Sequence, residues 1–493
     1  MLLRRSGGRV RDVVGRPALL HRGRRAGVAW LLLGLLLGLP GCPDRRADPS
    51  GSVRRIVLVS LDTLRADHLG TYGYPRDTSP RLDALAEEGF VFERAVAPAP
   101  NTPPSQMSMM TSLYPGRHGF TGNGDRLAPG IETLAGRLSA AGLATGGFVD
   151  GGYLKAAFGF ARGFDVYDDR GGGLAGLVPR ALRWLDAQGD RPFFLFLHTY
   201  DIHAPYVAPE PFAGMFHEVP YEGDLVPTIE RLDALFRAGA PLSEADRQHL
   251  VDSYDEGIRY ADHQLGRFLD ALAERGRLDD TLIVVTSDHG EEFGEHGSLV
   301  HWQLYYQPNL HVPLIVRPPG GVEGPVRIAE MAELIDVLPT LLEWAGAPAL
   351  PVAQGRSLRP WMRGEGSGRD RSERAGTGEA RASGTPAPDA LERAAFAWWA
   401  DPEQLPLRSI IVDGHQLIFD DYAPGKDELY DIEADPMAQR DLSGRRPALA
   451  ARLRALGRQG MLASPPWRPA GEEGELKLDD ATREELRALG YER

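Results

Sequence analysis

Two short stretches, far apart in the chain, carry side chains of the kinds that hold a metal ion and attack an ester. The first is Asn101-Thr102-Pro103-Pro104-Ser105-Gln106-Met107-Ser108. The second is Thr286-Ser287-Asp288-His289-Gly290-Glu291-Glu292-Phe293-Gly294-Glu295-His296-Gly297, with His301 shortly after. Proline is favoured in the first turn of a helix, so Pro103 predicts a helix start with Thr102 as its N-cap. The Thr102 hydroxyl would then sit in the positive field of that start, beside backbone N–H groups able to hold an anion. A free hydroxyl is a poor nucleophile, and coordination to a metal ion would activate it. Asp288 and His289 end an apolar run and offer an oxygen and a nitrogen ligand to a divalent cation. Asp62 ends another and offers a second oxygen. Together these residues point to cleavage of an anionic ester.

Each also has a plain structural reading. Thr102 alone is an ordinary capping threonine, Asp62 a turn aspartate, and Asp288-His289 a helix-start aspartate beside a surface histidine. Their shared position at the mouths of strands favours a site. The run Ile56 to Leu61 is continuously apolar, as expected of a strand covered on both faces. Gly146 to Val149, Phe193 to Leu197 and Leu282 to Thr286 read the same way. Helical patterns lie between them, at Ser79 to Glu88, Ile131 to Ala141, Ala181 to Ala187 and Tyr254 to Arg275. Alternation of this kind predicts an α/β fold, a mostly parallel sheet with helices on both faces. Asp62 follows the first strand, His198 the third and Asp288-His289 the fourth. Ligand sites in open α/β sheets gather at the carboxyl ends of strands.

The chain has 493 residues, 42% hydrophobic and 25% charged, values of a globular protein with one large domain and additions. Eight arginines precede an apolar run from Ala26 to Pro40, which is shorter than the roughly 20 residues a bilayer span needs. A basic segment before a short apolar one predicts a secretory signal over residues 1–41. The run closes on Cys42, the single cysteine, in a pattern that resembles the lipobox of bacterial lipoproteins. The expectation is an exported bacterial lipoprotein, anchored to a membrane by lipid on Cys42 and facing the periplasm or cell exterior. Removing residues 1–41 takes away eight arginines and Asp12 and carries the formal charge from −14 to −21. So acidic a chain will not bind nucleic acid through its general field. An anionic substrate must be held by local charge. One cysteine also rules out an internal disulfide and a thiolate metal site.

Residues 42–54 read as a tether and 55–363 as the catalytic domain. Residues 364–392, rich in Gly, Ser, Arg and Pro, read as a mobile loop. Residues 393–493 read as a smaller α+β subdomain, with strands near Ser409–Val412 and Gln416–Phe419.

The segment Ile56 to Gly73, the Thr102 segment continuing to Gly119, and the run Ser287 to Gly297 resemble the sulfatase family of the alkaline phosphatase superfamily. So do Leu197 to Tyr206, Val312 to Ile315, Asp336 to Leu342 and the stretch from Glu428. The likeness runs in the family's order from Arg55 to the C-terminus, apart from the loop. It implies that Asp62, Thr102, Asp288 and His289 form a metal-and-nucleophile set. It implies that His203 and His301 bind the ester or protonate its leaving group, and that Asn123 holds a non-bridging oxygen.

The departures from that family are informative. Sulfatases proper have Cys or Ser, converted to formylglycine, where this chain has Thr102, and an arginine where it has Gln106. The second aspartate of a pair is Thr63, and a lysine and a histidine expected near Gly146 to Asp150 are missing. Threonine nucleophiles occur in the superfamily's phosphodiesterases and in its phosphoethanolamine and phosphoglycerol transferases. The reading is one divalent metal ion and a Thr102 nucleophile acting on a phosphate or sulfate ester, by hydrolysis or transfer, with the phospho-ester favoured. A nitrogen ligand favours Zn²⁺ or Mn²⁺; Ca²⁺ and Mg²⁺ stay open, as does a second ion between Asp201 and His203. The alternatives are a strict sulfatase and a non-catalytic, lipid-anchored binding protein.

Overall fold

Leu58 and Ile56 face one side of their strand, Val57, Val59 and Leu61 the other, and all are buried. Side chains alternate along a strand, so a run buried at every position needs cover on both faces. The computed structural model supplies that cover. It describes residues 52–120, 125–239, 241–301, 305–365, 394–398, 407–420, 423, 425–462 and 478–490. Cys42, Asn123, the expected signal and nearly all of the expected tether and loop lie outside these.

The large sheet contains β1 (Arg55–Leu61), β2 (Phe90–Val96), β3 (Ala144–Val149), β4 (Val166–Asp168), β5 (Phe193–Thr199) and β6 (Leu282–Thr286). A short hairpin, β7 (Glu292–Phe293) with β8 (Leu299–Val300), stands apart. The large sheet is completed by β9 (His311–Val312), β10 (Leu314–Arg317) and β11 (Val326–Glu333). The order is β11-β2-β10-β6-β1-β5-β3-β4, with β9 on β2. β1 pairs in parallel with β5 and β6, and β3 with β5 and β4. β10 runs antiparallel to β6 and β2. The sheet is therefore mostly parallel, as its apolar runs predict. Two of the strands not singled out from sequence carry charges that break the run: Glu93 and Arg94 in β2, Arg327 and Glu330 in β11.

Two helices are longer than expected. The helix Gly173–Gln188 begins eight residues ahead of its periodic part. Gly171, Gly172 and Gly173 all have positive φ, which glycine alone adopts freely, and so make the turn that starts it. Its first N–H groups are met by carboxylates: Gly173 N donates to Asp150 and Leu174 N to Asp201. The helix Glu244–Glu274 starts at a Ser243 cap that accepts from Asp246 N. Its first turns are polar and so carry no apolar period. No helix among the described residues is long and apolar enough to cross a membrane.

A second, antiparallel sheet joins β12 (Ala395–Trp398), β13 (Leu407–Val412), β14 (His415–Asp420) and β15 (Glu428–Asp431). With the helix Pro447–Leu462 it forms the α+β unit expected here. The last helix, Asp480–Ala488, returns to the segment that follows β3, where Glu485 pairs with Lys155 at 2.8 Å.

Glu333, at the end of β11, joins the two sheets. It accepts from Tyr114 Oη at 2.8 and 2.9 Å and from Phe396 N of β12 at 2.9 Å. Burial, and then the charge of Asp336, raise its pKa to about 8. The folded state therefore holds this proton more tightly than the unfolded chain, whose glutamate titrates near 4.3. The resulting stability is full below that unfolded value and is lost as pH rises through the folded one. Thermal unfolding should show the midpoint falling between about pH 5 and pH 9. Glu333→Gln, neutral throughout, should make that fall shallower.

Candidate active site

The registers of three neighbouring strands assemble the site. Ser60 of β1 lies opposite His198 of β5 and Thr286 of β6. The residues just beyond, Asp62 and Asp288-His289, thereby emerge side by side at the carboxyl ends, and Asp62 N is tied to Thr199 O at 3.1 Å. Asp62, His198, Asp288 and His289 are all fully buried. His289 Nε2 lies 3.9 Å from Asp62 Oδ1 and 3.7 Å from Asp288 Oδ2.

Thr102 joins them from the helix Thr102–Thr111. Its Oγ1 is 3.1 Å from Asp62 Oδ2 and 3.1 Å from His289 Nε2. It is not the N-cap expected from sequence. Asn101, extended at φ −159° and ψ 158°, takes that position, and Thr102 is the first helical residue. A capping side chain accepts from the second or third helical N–H. Here those residues are Pro103 and Pro104, which have none, so Asn101 caps nothing and its Oδ1 is unpartnered. The same two prolines remove donors that an anion at this helix start would have used. As the first helical residue, Thr102 does not cap, and its hydroxyl is turned to Asp62 and His289.

The cluster faces inward with acceptors. Asp62 Oδ1 and both Asp288 oxygens are buried without a hydrogen-bond partner. Burial, and then the charge of Asp288, hold the Asp62 carboxyl well above the usual range. A buried carboxylate with an unpartnered oxygen is costly unless a cation offsets its charge. His289 Nδ1 donates to Gly290 O at 2.9 Å, which leaves its Nε2 lone pair on the Asp62 side. The donor set fits a divalent ion held by Asp62, Asp288, His289 and the Thr102 hydroxyl.

His198 belongs here too. Ligand atoms of Asp62, His198 and Asp288 all lie within 4.8 Å of one another. His198 Nε2 is 3.2 Å from Asp62 Oδ2. Its place at the end of β5 was visible in the sequence, but sequence alone did not show that the ring turns toward Asp62. Burial lowers its pKa to about 4, so it is a neutral imidazole. That ring either donates to Asp62 or offers its own lone pair to the ion.

The remaining expected residues divide. The His301 ring is 4.5 Å from that of His289 and 5.0 Å from that of His203, so both histidines border the cluster. His203 Nδ1 donates to Ala204 O at 2.5 Å. Burial takes the His203 pKa to about 3 and that of His301 to about 4. Asp201 is turned away, to the start of the helix Gly173–Gln188, and does not join His203 in a second ion site. Gln106 donates to Ser60 at 2.7 Å beneath the cluster. Thr63, at φ +58°, donates to Asp62 O and holds the turn rather than a ligand.

The sulfatase family model matches residues 54–347. A protein of Trinickia caryophylli, the multifunctional alkaline phosphatase superfamily protein PehA, is 34% identical over 205 residues. That stretch is 37% of this chain and 40% of the relative, so less than half of that protein is matched. An arylsulfatase of Clostridium perfringens is 27% identical over 388 residues, 62% of this chain and 77% of the relative. The crystal structure of the phosphonate monoester hydrolase of Agrobacterium radiobacter superposes with a TM-score of 0.63 at 21% identity, over 83% of this chain and 96% of that one.

Whether as ligand or as a donor to Asp62, His198 should strengthen metal binding. His198→Ala is expected to weaken it by about 10- to 100-fold, as measured by titrating the apoprotein with Zn²⁺ or Mn²⁺ against a competing chelator. Unchanged affinity would assign His198 to packing alone.

Proposed function

Since the chain belongs to the sulfatase family of the alkaline phosphatase superfamily, we propose that it cleaves phosphate or sulfate esters by attack of Thr102, with phospho-esters preferred. One observation carries this reading. The Thr102 hydroxyl lies within 3.1 Å of both Asp62 and His289, in a buried group of carboxylates with unpartnered oxygens. A divalent cation held there, with Zn²⁺ or Mn²⁺ favoured by the nitrogen ligand, would supply Lewis acidity and offset the substrate's charge. Thr102 Oγ1 attacks phosphorus or sulfur, and its proton leaves along the hydrogen bond to Asp62 Oδ2. His301 or His203 gives a proton to the departing oxygen. Water or an acceptor alcohol then resolves the ester on Thr102. Burial of both imidazoles makes them neutral in the free protein, so the acid must take up its proton as the anionic substrate binds.

The preference for phosphorus rests on Thr102 itself. Formylglycine releases its sulfate by elimination, leaving an aldehyde. A threonine ester lacks that route and must be opened by a second attack on the central atom. Phosphorus accepts such attack more readily than sulfur in an alkyl sulfate.

We also propose that the mature protein is exported and held to a membrane by lipid on Cys42. That residue closes a short apolar run behind a basic segment.

Two outcomes test these readings. Thr102→Ala should abolish turnover, by several orders of magnitude, with metal content kept. Wild type given aryl phosphodiesters should yield a phosphorylated Thr102 peptide by mass spectrometry, and parallel aryl sulfate assays should be slower. Retention of more than about a tenth of the activity, a barrier change of about 1.4 kcal/mol, would remove Thr102 as nucleophile. In a bacterial host, Cys42→Ser should abolish lipid labelling and processing at this site; unchanged labelling would refute the anchor.

A further inference from the structure

The hairpin β7–β8 sets Glu292 opposite Val300 and Phe293 opposite Leu299. Continued by one residue, the register puts Glu291 opposite His301. Their side chains meet: His301 Nδ1 is 2.9 Å from Glu291 Oε1. Tyr206 Oη donates to the other oxygen, Oε2, at 2.8 Å. Glu291 is fully buried, and Tyr206 and His301 are nearly so.

The Glu291 backbone is held as well. Its N–H donates to Pro308 O at 3.1 Å, and its carbonyl accepts from Arg65 Nη1 at 2.9 Å. Arg65 also donates to Asp67 and Glu295, so its hydrogen bonds pin the Glu291 backbone while its charge acts on the Glu291 carboxylate through space. A buried carboxylate is costly, and this one is placed on a histidine whose ring also borders the metal-binding cluster.

Resting on the reading of His301 as the leaving-group acid, we propose that Glu291 is the positioning residue for that histidine, with Tyr206 fixing Glu291. Glu291 accepts from Nδ1–H, which sets the tautomer and ring plane and leaves Nε2 as the nitrogen that carries the transferable proton. A carboxylate orients a histidine in the same way in hydrolytic triads. When the ester bond breaks, its electron pair stays on the leaving oxygen, which takes the proton from Nε2. The ring returns to neutral with Nδ1–H still on Glu291. The water that opens the Thr102 ester gives a proton back to Nε2 as its oxygen bonds to the central atom, and Thr102 regains the proton held at Asp62.

The test is a double-mutant cycle read on aryl esters of graded leaving-group pKa, with metal content measured for each protein. Glu291→Gln should lower kcat by about 100-fold for the poorest leaving group, with little change in KM or in the rate of a nitrophenyl ester. In a His301→Ala background the same change should alter rates by less than about twofold. Tyr206→Phe should show a smaller loss of the same kind, about tenfold, that also vanishes without His301. It serves if the glutamate variant does not fold. An equal loss with and without His301, equal slowing of every leaving group, or loss of metal in step with activity would overturn the positioning role. The acid reading is judged separately, by His301→Ala alone. If that variant keeps the wild-type slope, His301 is not the acid, and coupling to Glu291 in the cycle still decides whether Glu291 positions it.

Discussion

The parallel pairing of β1 with β6 fixes Asp62 and Asp288 side by side in a buried space. Neither strand can relax without breaking the sheet that carries the core on both its faces. Three of their four carboxylate oxygens have no hydrogen-bond partner. A cation held between them would offset the charge of both carboxylates. His289, with Nε2 on the same side, and the Thr102 hydroxyl complete the set. The other parts of the site are arranged around that charge.

The helix start is one such arrangement. Two consecutive prolines give a turn with no second or third N–H, which leaves the N-cap, Asn101, with nothing to cap and puts Thr102 after it with its hydroxyl outside any cap. The hydroxyl is held instead by Asp62 and His289. Ser105 donates to Asp288 O at 2.6 Å and Gln106 to Ser60 at 2.7 Å, so the helix is pinned to β1 and to the segment after β6 by its next turn. A hydroxyl placed in this way would need little reorganisation before attacking an ester. The hairpin is the second arrangement. Two short strands suffice because their register alone brings residue 301 back beside residue 291.

Much of this was legible in the sequence, for identifiable reasons. Continuous apolar runs gave β1, β5 and β6, because burial on both faces leaves no polar position to confuse the pattern. The ends of those runs gave Asp62, Asp288 and His289. The edge-side strands β2 and β11 were less legible, because charged residues interrupt them. The glycine triplet and polar first turns concealed the starts of two helices, since periodicity reports packing faces rather than caps. Thr102 was found for its neighbours in sequence, but its cap role was misassigned. The proline after it signals a helix start but also removes an N–H that a cap would need.

The sequence by itself determined which residues lie at strand ends, and hence which side chains could reach a common crevice. It also set the chemistry available there: a hydroxyl that cannot become formylglycine, oxygen and nitrogen ligands, and no thiolate beyond Cys42. Tertiary structure decided which of the candidates meet. It turned His198 toward Asp62, and it drew Asp201, of the same neighbourhood and charge, to a helix start. It tied His301 to Glu291 and both to Tyr206, residues up to 95 positions apart. Strand-end placement is set by local pattern. Side-chain direction and pairing depend on register and on what fills the space opposite, and those are properties of the packed molecule.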